Sequence, residues 1–226
     1  MIQGTYNNGI INNSHTVLLI HSNASAGSTT FSDSSQSGHT IVKAGTPIHS
    51  NNRAKFYSTS NFTDAGSSET IGVAANADFN FSNKPFTISF WQNSDDTNVK
   101  YIMSMRNASP TNSYFTLNWE NSGANVIDVN FNDGSWNAIL QATVTHSTAT
   151  WYHIAIVRIA ANSWMLFVNG DLVDTGNNTV TLTESAINWG SYDGSSVWQT
   201  QYTEELKVDK GVALYNRSFT VPNRAN

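Results

Sequence analysis

The chain has no cysteine among its 226 residues, only four prolines, and charged residues make up 12% of it. Without cysteine there is no disulfide framework, no thiol nucleophile and no thiolate metal site. Lysine and arginine together number 11 and the formal net charge is −5, so the basic clusters that bind nucleic acids or anionic membranes are missing. We expect neither a nucleic-acid partner nor membrane insertion.

Long apolar runs are also missing. Runs such as residues 17–20 and 164–168 are far shorter than the roughly 20 residues that span a bilayer as a helix. Residues 1–8 contain neither a basic leader nor an apolar segment of the length found in secretory signals. From this start we expect no ordinary signal peptide.

Small polar residues fill the place of these missing types. Serine, threonine and asparagine supply 81 of the 226 residues, while hydrophobic types supply 39% and aromatic types 12%. Ser, Thr and Asn favour turns, caps and strands over helix interiors. This composition indicates an all-β protein with enough apolar residues for a sizeable core.

Alternation of apolar and polar residues recurs along the chain and predicts strands with one buried face. In residues 126–132, Ile127, Val129 and Phe131 alternate with a polar set that we interpret as a solvated face: Asp128, Asn130 and Asn132. The turn 132–134 contains Asp-Gly, which predicts that residues 138–144 pair back on this strand.

Residues 151–158, 163–170 and 171–173 predict a three-stranded meander. The other predicted strands are residues 16–20, 39–43, 55–57, 69–73, 86–91, 101–105, 114–119, 186–189 and 198–208. So many strands exceed one flat sheet. We expect a two-sheet antiparallel jelly-roll sandwich, with residues 16–226 as one domain and residues 1–15 as an N-terminal extension.

Several segments, in order, resemble the laminin-G-like jelly rolls of the concanavalin A-like lectin/glucanase superfamily. Residues 16–21 and 27–39, with Asp-Ser-Ser-x-x-Gly-His, resemble the family's first strand and its turn. The other matching segments are residues 77–81, 86–91, 151–155, 166–170, 204–215 and 219–222. The resemblance implies about a dozen strands in two curved sheets.

Within the last two of these segments, residues 210–215 and 219–222 resemble modules of bacteriophage virion proteins. This resemblance implies a non-catalytic virion surface module that decorates the capsid or tail or mediates adhesion. Its expected partners are other virion proteins or cell-surface glycans, and it is expected to form a homo-oligomer. Residues 2–13, an edge strand or an exposed apolar patch would provide attachment. The superfamily also includes lectins and glycosidases, so a glycan-degrading enzyme and a free lectin remain alternatives.

Catalytic patterns are weak, and we do not expect an enzyme. Glycoside hydrolysis needs two carboxyl groups at about 5 Å, or at about 6.5–9.5 Å, from each other, yet no two acidic residues stand at alternate positions. Glu204 and Glu205 are adjacent and should point to opposite faces of a strand. His153 lies within a predicted strand and is expected to be a hydrogen-bonded core residue.

Calcium is a further expectation, although no cofactor is required. Asp128-x-Asn130-x-Asn132 begins like a calcium loop but lacks the glycine and glutamate that should follow. The resemblance to laminin-G-like domains instead implies a calcium position at Asp33, the carbonyl of Gly38, and Glu204. Here the sequence departs from the family, which more often has aspartate where Glu204 stands.

Sugar binding needs an aromatic surface beside amides and carboxylates. Two groups in the sequence have this character: Asn132 and Asp133 with Trp136, and Tyr192 and Asp193 with Trp198 and Gln199. Packing at a sheet edge or a subunit contact is the alternative role for Trp136 and Trp198. For the remaining tryptophans we favour packing.

Overall fold

The computed structural model describes residues 14–94, 100–107, 114–119, 125–132, 135–192, 198–223 and 225. These residues form fifteen strands and two short 3₁₀ helices, η1 (Ala65–Ser67) and η2 (Ala77–Phe79). The strands are β1 (Thr16–Ile20), β2 (Ile41–Ala44), β3 (Ile48–Ser50), β4 (Ser60–Thr63), β5 (Thr70–Asn76), β6 (Phe86–Ser94), β7 (Lys100–Asn107), β8 (Tyr114–Trp119), β9 (Val126–Asn132), β10 (Trp136–Thr143), β11 (Tyr152–Ala160), β12 (Ser163–Val168), β13 (Asp171–Asn177), β14 (Ser185–Trp189) and β15 (Gln201–Lys210).

The strands form two antiparallel sheets. The eight-stranded sheet has the order β13-β12-β11-β6-β15-β4-β3, with β1 also paired to β15, and the seven-stranded sheet has the order β10-β9-β8-β7-β14-β5-β2. Strands distant in sequence lie side by side, as in β6 and β15. This confirms the predicted two-sheet antiparallel jelly-roll architecture.

The main core lies between the two sheets. Strands of the eight-stranded sheet contribute Phe90 and Ile154, and strands of the seven-stranded sheet contribute Phe115, Ile127 and Trp189, all at most 1% exposed. The alternation in β9 therefore identifies its core side correctly. At roughly 25 cal/mol per Å² of apolar surface removed from water, such a core is the main stabilising contribution.

Hairpins follow the turn signals of the sequence. β10 pairs back on β9, as predicted for this hairpin, and the register places Trp136 opposite Asn132. Residues 133 and 134 of the turn lie outside the described part. β11, β12 and β13 form the predicted meander. The turn between β12 and β13 uses Asn169 and Gly170, both with positive φ.

The prediction of a strand at residues 55–57 was wrong. Residues 55–57 are not a strand, and two strands that were not predicted, β3 and β4, pair with each other instead. Their register places His49 opposite Asn61, and both side chains are 1% exposed. Because polar residues occupy the buried positions, the apolar alternation that identifies a strand is absent here.

A C-terminal segment, residues 211–222, covers part of the outward face of the eight-stranded sheet; we call it the strap. Tyr215 and Phe219 stack with ring centroids 3.7 Å apart and pack on a small apolar cluster that includes Phe167. The Phe219 amide donates to the carbonyl of Gly170 at 2.9 Å. The outward face of this sheet is thus partly a second, smaller core.

His153 belongs to this outward side. It is 3% exposed and its ring stands edge-on to Trp91, Phe219 and Tyr215. Burial, and to a smaller extent Lys55, lowers the pKa of His153 to about 4. Its Nδ1 has no hydrogen-bond partner, so the expected hydrogen-bonded core histidine is corrected to a neutral ring enclosed by aromatic groups.

Candidate functional site

The outward face of the seven-stranded sheet carries a polar floor on its central strands. In register across β8 and β9, Asn118 lies opposite Asp128. Asp128 Oδ1 accepts hydrogen bonds from Asn118 Nδ2 at 2.9 Å and from Asn130 Nδ2 at 2.8 Å. Asp128 is 0% exposed and Asn130 7% exposed. The predicted solvated face of β9 is therefore wrong at these two positions: it faces away from the core, yet it is covered.

Three aromatic rings lie above or beside this floor. The ring of Tyr192 is 5.9 Å from that of Trp136 and 4.9 Å from that of Tyr101. Trp136 starts β10, Tyr101 lies on β7, and Tyr192 follows β14. Trp136 is 47% exposed, whereas the two tyrosines are half-buried. Together they make a continuous aromatic surface, which we call the ring surface.

The ring surface and the floor are close enough to interact electrostatically. Tyr101 lies opposite Asn118 in register, and Asn118 lies opposite Asp128. Burial, and secondly the charge of Asp128, raises the pKa of Tyr101. Tyr101 therefore keeps its hydroxyl proton at neutral pH and presents a hydrogen-bond donor beside a carboxylate.

The structure brings together parts of the two predicted sugar-binding groups. Trp136 from one group contacts Tyr192 from the other, and Asn132 is half-buried opposite Trp136 in the hairpin. Tyr192 directly follows Ser191, which forms an isolated β-bridge with Trp198. Asp133 and Asp193 lie outside the described residues.

Two members of the predicted set take other positions. Trp198 is half-buried at the bridge that carries Tyr192. Gln199 is 1% exposed, and its side-chain amide donates to Ser94 Oγ at 3.3 Å. The side chain of Gln199 therefore does not reach the surface in this conformation.

Sequence reasoning missed Tyr101 and Asn118 and did not select Asp128 for binding. Tyr101 stands in a predicted strand with nothing nearby to distinguish it from a packing residue. The run Asp128, Asn130, Asn132 was visible, but alternation shows only which residues share a face. Whether residues on that face are buried or exposed depends also on residues some 60 positions later in the chain, such as Tyr192.

The predicted calcium residues form a hydrogen-bonded turn and a separate buried carboxylate. Asp33 Oδ1 accepts from the amides of Leu19 and Ser35, and Oδ2 accepts from Ser35 Oγ and the amide of His39, all at 2.8–2.9 Å. Gly38 has a φ of +58° within this turn. Three backbone amides and a serine hydroxyl thus supply the four hydrogen bonds to the Asp33 carboxylate.

Glu204 is likewise engaged by the protein. Its carboxylate accepts from the backbone amides of Lys55 at 2.6 Å and Phe56 at 2.9 Å. Among the described residues, no cluster of three or more His, Asp or Glu side chains is arranged to hold a metal ion. Calcium binding by Asp33, Gly38 and Glu204 stays a prediction from the resemblance.

The prediction that Glu204 and Glu205 point to opposite faces was wrong. A β-bulge lies between Glu204 and Lys207, and Glu205 has a φ of +55°. Glu205 Oε1 is 2.7 Å from His21 Nδ1 and accepts from the Tyr57 hydroxyl at 2.8 Å. Burial first, and also the neighbouring Glu205, raises the pKa of Glu204. The two carboxyl groups are neighbours, but at 0% and 2% exposure they are closed to a polysaccharide.

A family model described as concanavalin A-like lectin/glucanases superfamily, Laminin_G_3, matches residues 65–222. Among curated protein sequences, none is significantly similar to the chain. No helix in the described part of the chain is both long and apolar enough to cross a membrane.

Solved structures share the fold at low sequence identity. Domain 4 of AbnA, a GH43 extracellular arabinanase from Geobacillus stearothermophilus solved with arabinotriose, has 14% identity and a TM-score of 0.63 over 80% of this chain and 87% of that one. The binding domain of Paraclostridial Mosquitocidal Protein 1 has 19% identity and a TM-score of 0.63 over 89% of this chain and 50% of that one.

The binding domain of botulinum neurotoxin DC, solved with SialylT, has 14% identity and a TM-score of 0.62 over 89% of this chain and 49% of that one. The chain thus spans about half the length of these two toxin domains. The family match covers well over half of the chain, and the two-sheet topology agrees with it. The chain therefore belongs to the concanavalin A-like lectin/glucanases superfamily.

Proposed function

We propose that the protein is a non-catalytic carbohydrate-binding module that holds a glycan on the ring surface of Trp136, Tyr192 and Tyr101. The observation that carries this proposal is the contact between Trp136 and Tyr192 above the polar floor. Aromatic faces stack on the apolar side of a pyranose or furanose ring, and amide and carboxylate groups bind its hydroxyls. Both kinds of group lie on this face of the sheet.

Exposure assigns different roles to the three rings. Trp136, at 47% exposed, offers the largest free aromatic face. Tyr192 and Tyr101 are half-buried and continue this face toward Asn118 and Asp128. A sugar ring stacked on Trp136 would place its hydroxyls beside the half-buried side chains of Tyr192 and Asn132.

Similar structures support a glycan as the ligand class. The arabinanase domain was solved with arabinotriose and the neurotoxin binding domain with SialylT. At 14% identity these structures share the fold with our chain, and their sugars do not identify its sugar. The chemistry of the ring surface itself supports binding of a saccharide.

The burial of the adjacent carboxyl pair supports a non-catalytic role. Glycoside hydrolysis needs an acid and a base on either side of the scissile bond, whereas Glu204 and Glu205 are enclosed under residues 55–57 on the opposite sheet. Among the described residues, Asp128 is a carboxylate beside the ring surface, and it is covered and amide-bonded. A glycan-degrading enzyme is the alternative, and release of reducing sugar from a bound polysaccharide would establish it.

Binding to immobilised glycans tests the proposal directly. We expect the wild-type chain to bind a subset of glycans on an array, and Trp136→Ala to weaken that binding about tenfold or more, with Trp136→Phe retaining part of it. Leu214→Ala is the matched control, because Leu214 is 37% exposed and lies in the strap on the opposite sheet. Binding that Trp136→Ala leaves unchanged would contradict the site.

The resemblance of the C-terminal residues further supports placing this module on a phage particle. In that setting it would decorate or adhere at the virion surface, as a homo-oligomer attached through residues 2–13. Mass spectrometry of purified virions tests the location. Deletion of residues 2–13 should abolish particle attachment and leave glycan binding intact, while detection only outside particles would overturn the virion role.

A further inference from the structure

One row of residues crosses the outward face of the seven-stranded sheet and contains Trp136. Trp136 on β10 lies opposite Asn132 on β9. Asn132 lies opposite Tyr114 on β8, and Tyr114 lies opposite Arg106 on β7. We call these four positions the cross-strand row. It joins the exposed tryptophan of the proposed glycan site to an arginine three strands away.

Arg106 lies on the outward side of β7. Its neighbour in sequence, Met105, is 1% exposed and belongs to the core between the sheets. Because successive residues of a strand point to opposite faces, Arg106 points away from that core, and it is half-buried. On β14 its partner in register is Ala186, whose methyl side chain is too short to cover a guanidinium group. Part of Arg106 is therefore accessible on the face that carries Trp136.

The two charged groups Arg106 and Asp128 lie in different rows of this face. Asp128 is four residues from Asn132 along β9, which puts their backbones roughly 13 Å apart. It is 0% exposed, and its Oδ1 accepts from two asparagine amides. Asp128 belongs to the row of Tyr101, whereas Arg106 belongs to the row of Trp136. A ligand that follows the cross-strand row is thus directed toward a positive charge and away from the carboxylate.

The length of the cross-strand row suits a chain of sugars better than a single sugar. Three strand spacings separate Arg106 from Trp136, so their backbones are roughly 14 Å apart. A sugar stacked on the indole leaves room for a neighbouring sugar of the same chain between it and Arg106. Asn132 lies between the two positions and is half-buried, so its amide can bind hydroxyls of either sugar.

The chemistry of arginine identifies the group that gains most from this position. A guanidinium is always charged and its planar fork of N–H donors matches both oxygens of a carboxylate. It carries five donors, so an arginine can bond within the protein and to a ligand at once. The formal net charge of −5 opposes an anionic ligand only weakly, because exposed charges beyond about 8 Å are largely screened at physiological salt.

We propose that the glycan bound at the ring surface is acidic, and that Arg106 pairs with the carboxylate of one of its sugars. This inference rests on the proposed glycan-binding function and names the substrate class of that site. Trp136 stacks on one sugar ring, Asn132 binds hydroxyls, and Arg106 determines the specificity for a uronic acid or another carboxylate-bearing sugar further along the chain.

Paired glycans test the substrate class. Each uronic-acid oligosaccharide on an array is compared with its carboxyl-reduced counterpart, in which a primary alcohol replaces the carboxylate. We expect the wild-type chain to bind the acidic member about tenfold more tightly or better, and this preference to shrink as the ionic strength rises. Equal binding of both members that still depends on Trp136 would overturn the acidic ligand and leave the proposed glycan site intact. Binding to no glycan at all would overturn both.

Substitutions of Arg106 test its role as the specificity-determining residue. Arg106→Gln should abolish the preference yet retain binding of the carboxyl-reduced glycans, and Arg106→Lys should keep part of the preference, since the charge remains without the planar fork. Arg217→Gln is the matched control, because Arg217 is an exposed strap residue on the opposite sheet. A loss by the same factor for both members of each pair in Arg106→Gln would show a merely structural role and overturn the assignment. If Arg106→Gln does not fold, Arg106→Lys and the salt dependence of the wild type decide the question.

Discussion

Acid should destabilise the fold through His153. In the folded chain its pKa is lowered to about 4, first by burial and then by Lys55, from an ordinary value of 6.5. The ring is enclosed by Trp91 and by the strap residues Tyr215 and Phe219, so its charged form is poorly solvated. Between pH 6.5 and about pH 4, the unfolded chain therefore binds a proton at His153, whereas the folded chain binds it only near pH 4.

This difference determines the pH interval and the size of the effect. Because the folded pKa is the lower one, the contribution of His153 to stability is complete above pH 6.5 and declines as the pH falls toward about 4. At about 1.36 kcal/mol per pH unit, the loss across this interval is about 3 kcal/mol. His49 acts in the same direction, since burial lowers its pKa. Glu204 acts in the opposite direction, since its pKa is raised.

A comparison of variants isolates the contribution of His153. Urea unfolding followed by tryptophan fluorescence between pH 7.5 and pH 4 should show a steep loss of stability in the wild-type chain and a clearly shallower one in His153→Phe. His15→Gln is the control, because His15 is exposed and its removal should leave the steep profile unchanged. The quantity compared is the slope of the free energy of unfolding against pH. A loss of stability in His153→Phe that is the same at every pH does not change this slope. Equal slopes in the wild type and His153→Phe would refute the reasoning.

Two further substitutions test the strap and the turn at Asp33. In Gly170→Ala the new Cβ would lie 2.1 Å from the Phe219 carbonyl oxygen, at a residue with φ of +85°. We therefore expect the free energy of unfolding in urea to fall by about 2–4 kcal/mol. An unchanged unfolding midpoint would show that the strap can move away from the new methyl group at little cost. Asp33→Ala removes the acceptor of four hydrogen bonds, and we expect a loss of about 2–4 kcal/mol whether or not calcium is present. A loss seen only with calcium would instead support the predicted metal role of Asp33.

Local patterns in the sequence were sufficient to predict most of the fold. Alternation identified the core side of β9, and the Asn-Gly and Asp-Gly turns predicted which strands form hairpins. Both signals act within a few residues of each other, so no knowledge of the rest of the chain is needed. β3 and β4 were missed because His49 and Asn61 occupy positions where alternation expects apolar side chains.

The candidate site was only partly predictable. Trp136 and Tyr192 were selected because each stands beside amides and carboxyl groups, but their contact joins residues 56 positions apart. The bulge at Glu205 reversed the expected direction of a side chain, and one extra residue in a strand has no sequence signature apart from the partner strand. In both cases long-range pairing decides the outcome.

The two outward faces of the sandwich differ in what covers them, and this difference supports the position that we propose for the glycan-binding site. On the eight-stranded sheet, the strap packs Tyr215 and Phe219 on Phe167, so that area already has an apolar partner from the same chain. On the seven-stranded sheet, the covered groups are polar, and the ring that remains 47% exposed above them is Trp136. Stacking a sugar ring on this tryptophan would remove its apolar face from water, while sugar hydroxyls would replace water at the half-buried Asn132 and Tyr192 beside it. The glycan binding that we propose on the seven-stranded sheet would therefore require no rearrangement of the strap or of the core.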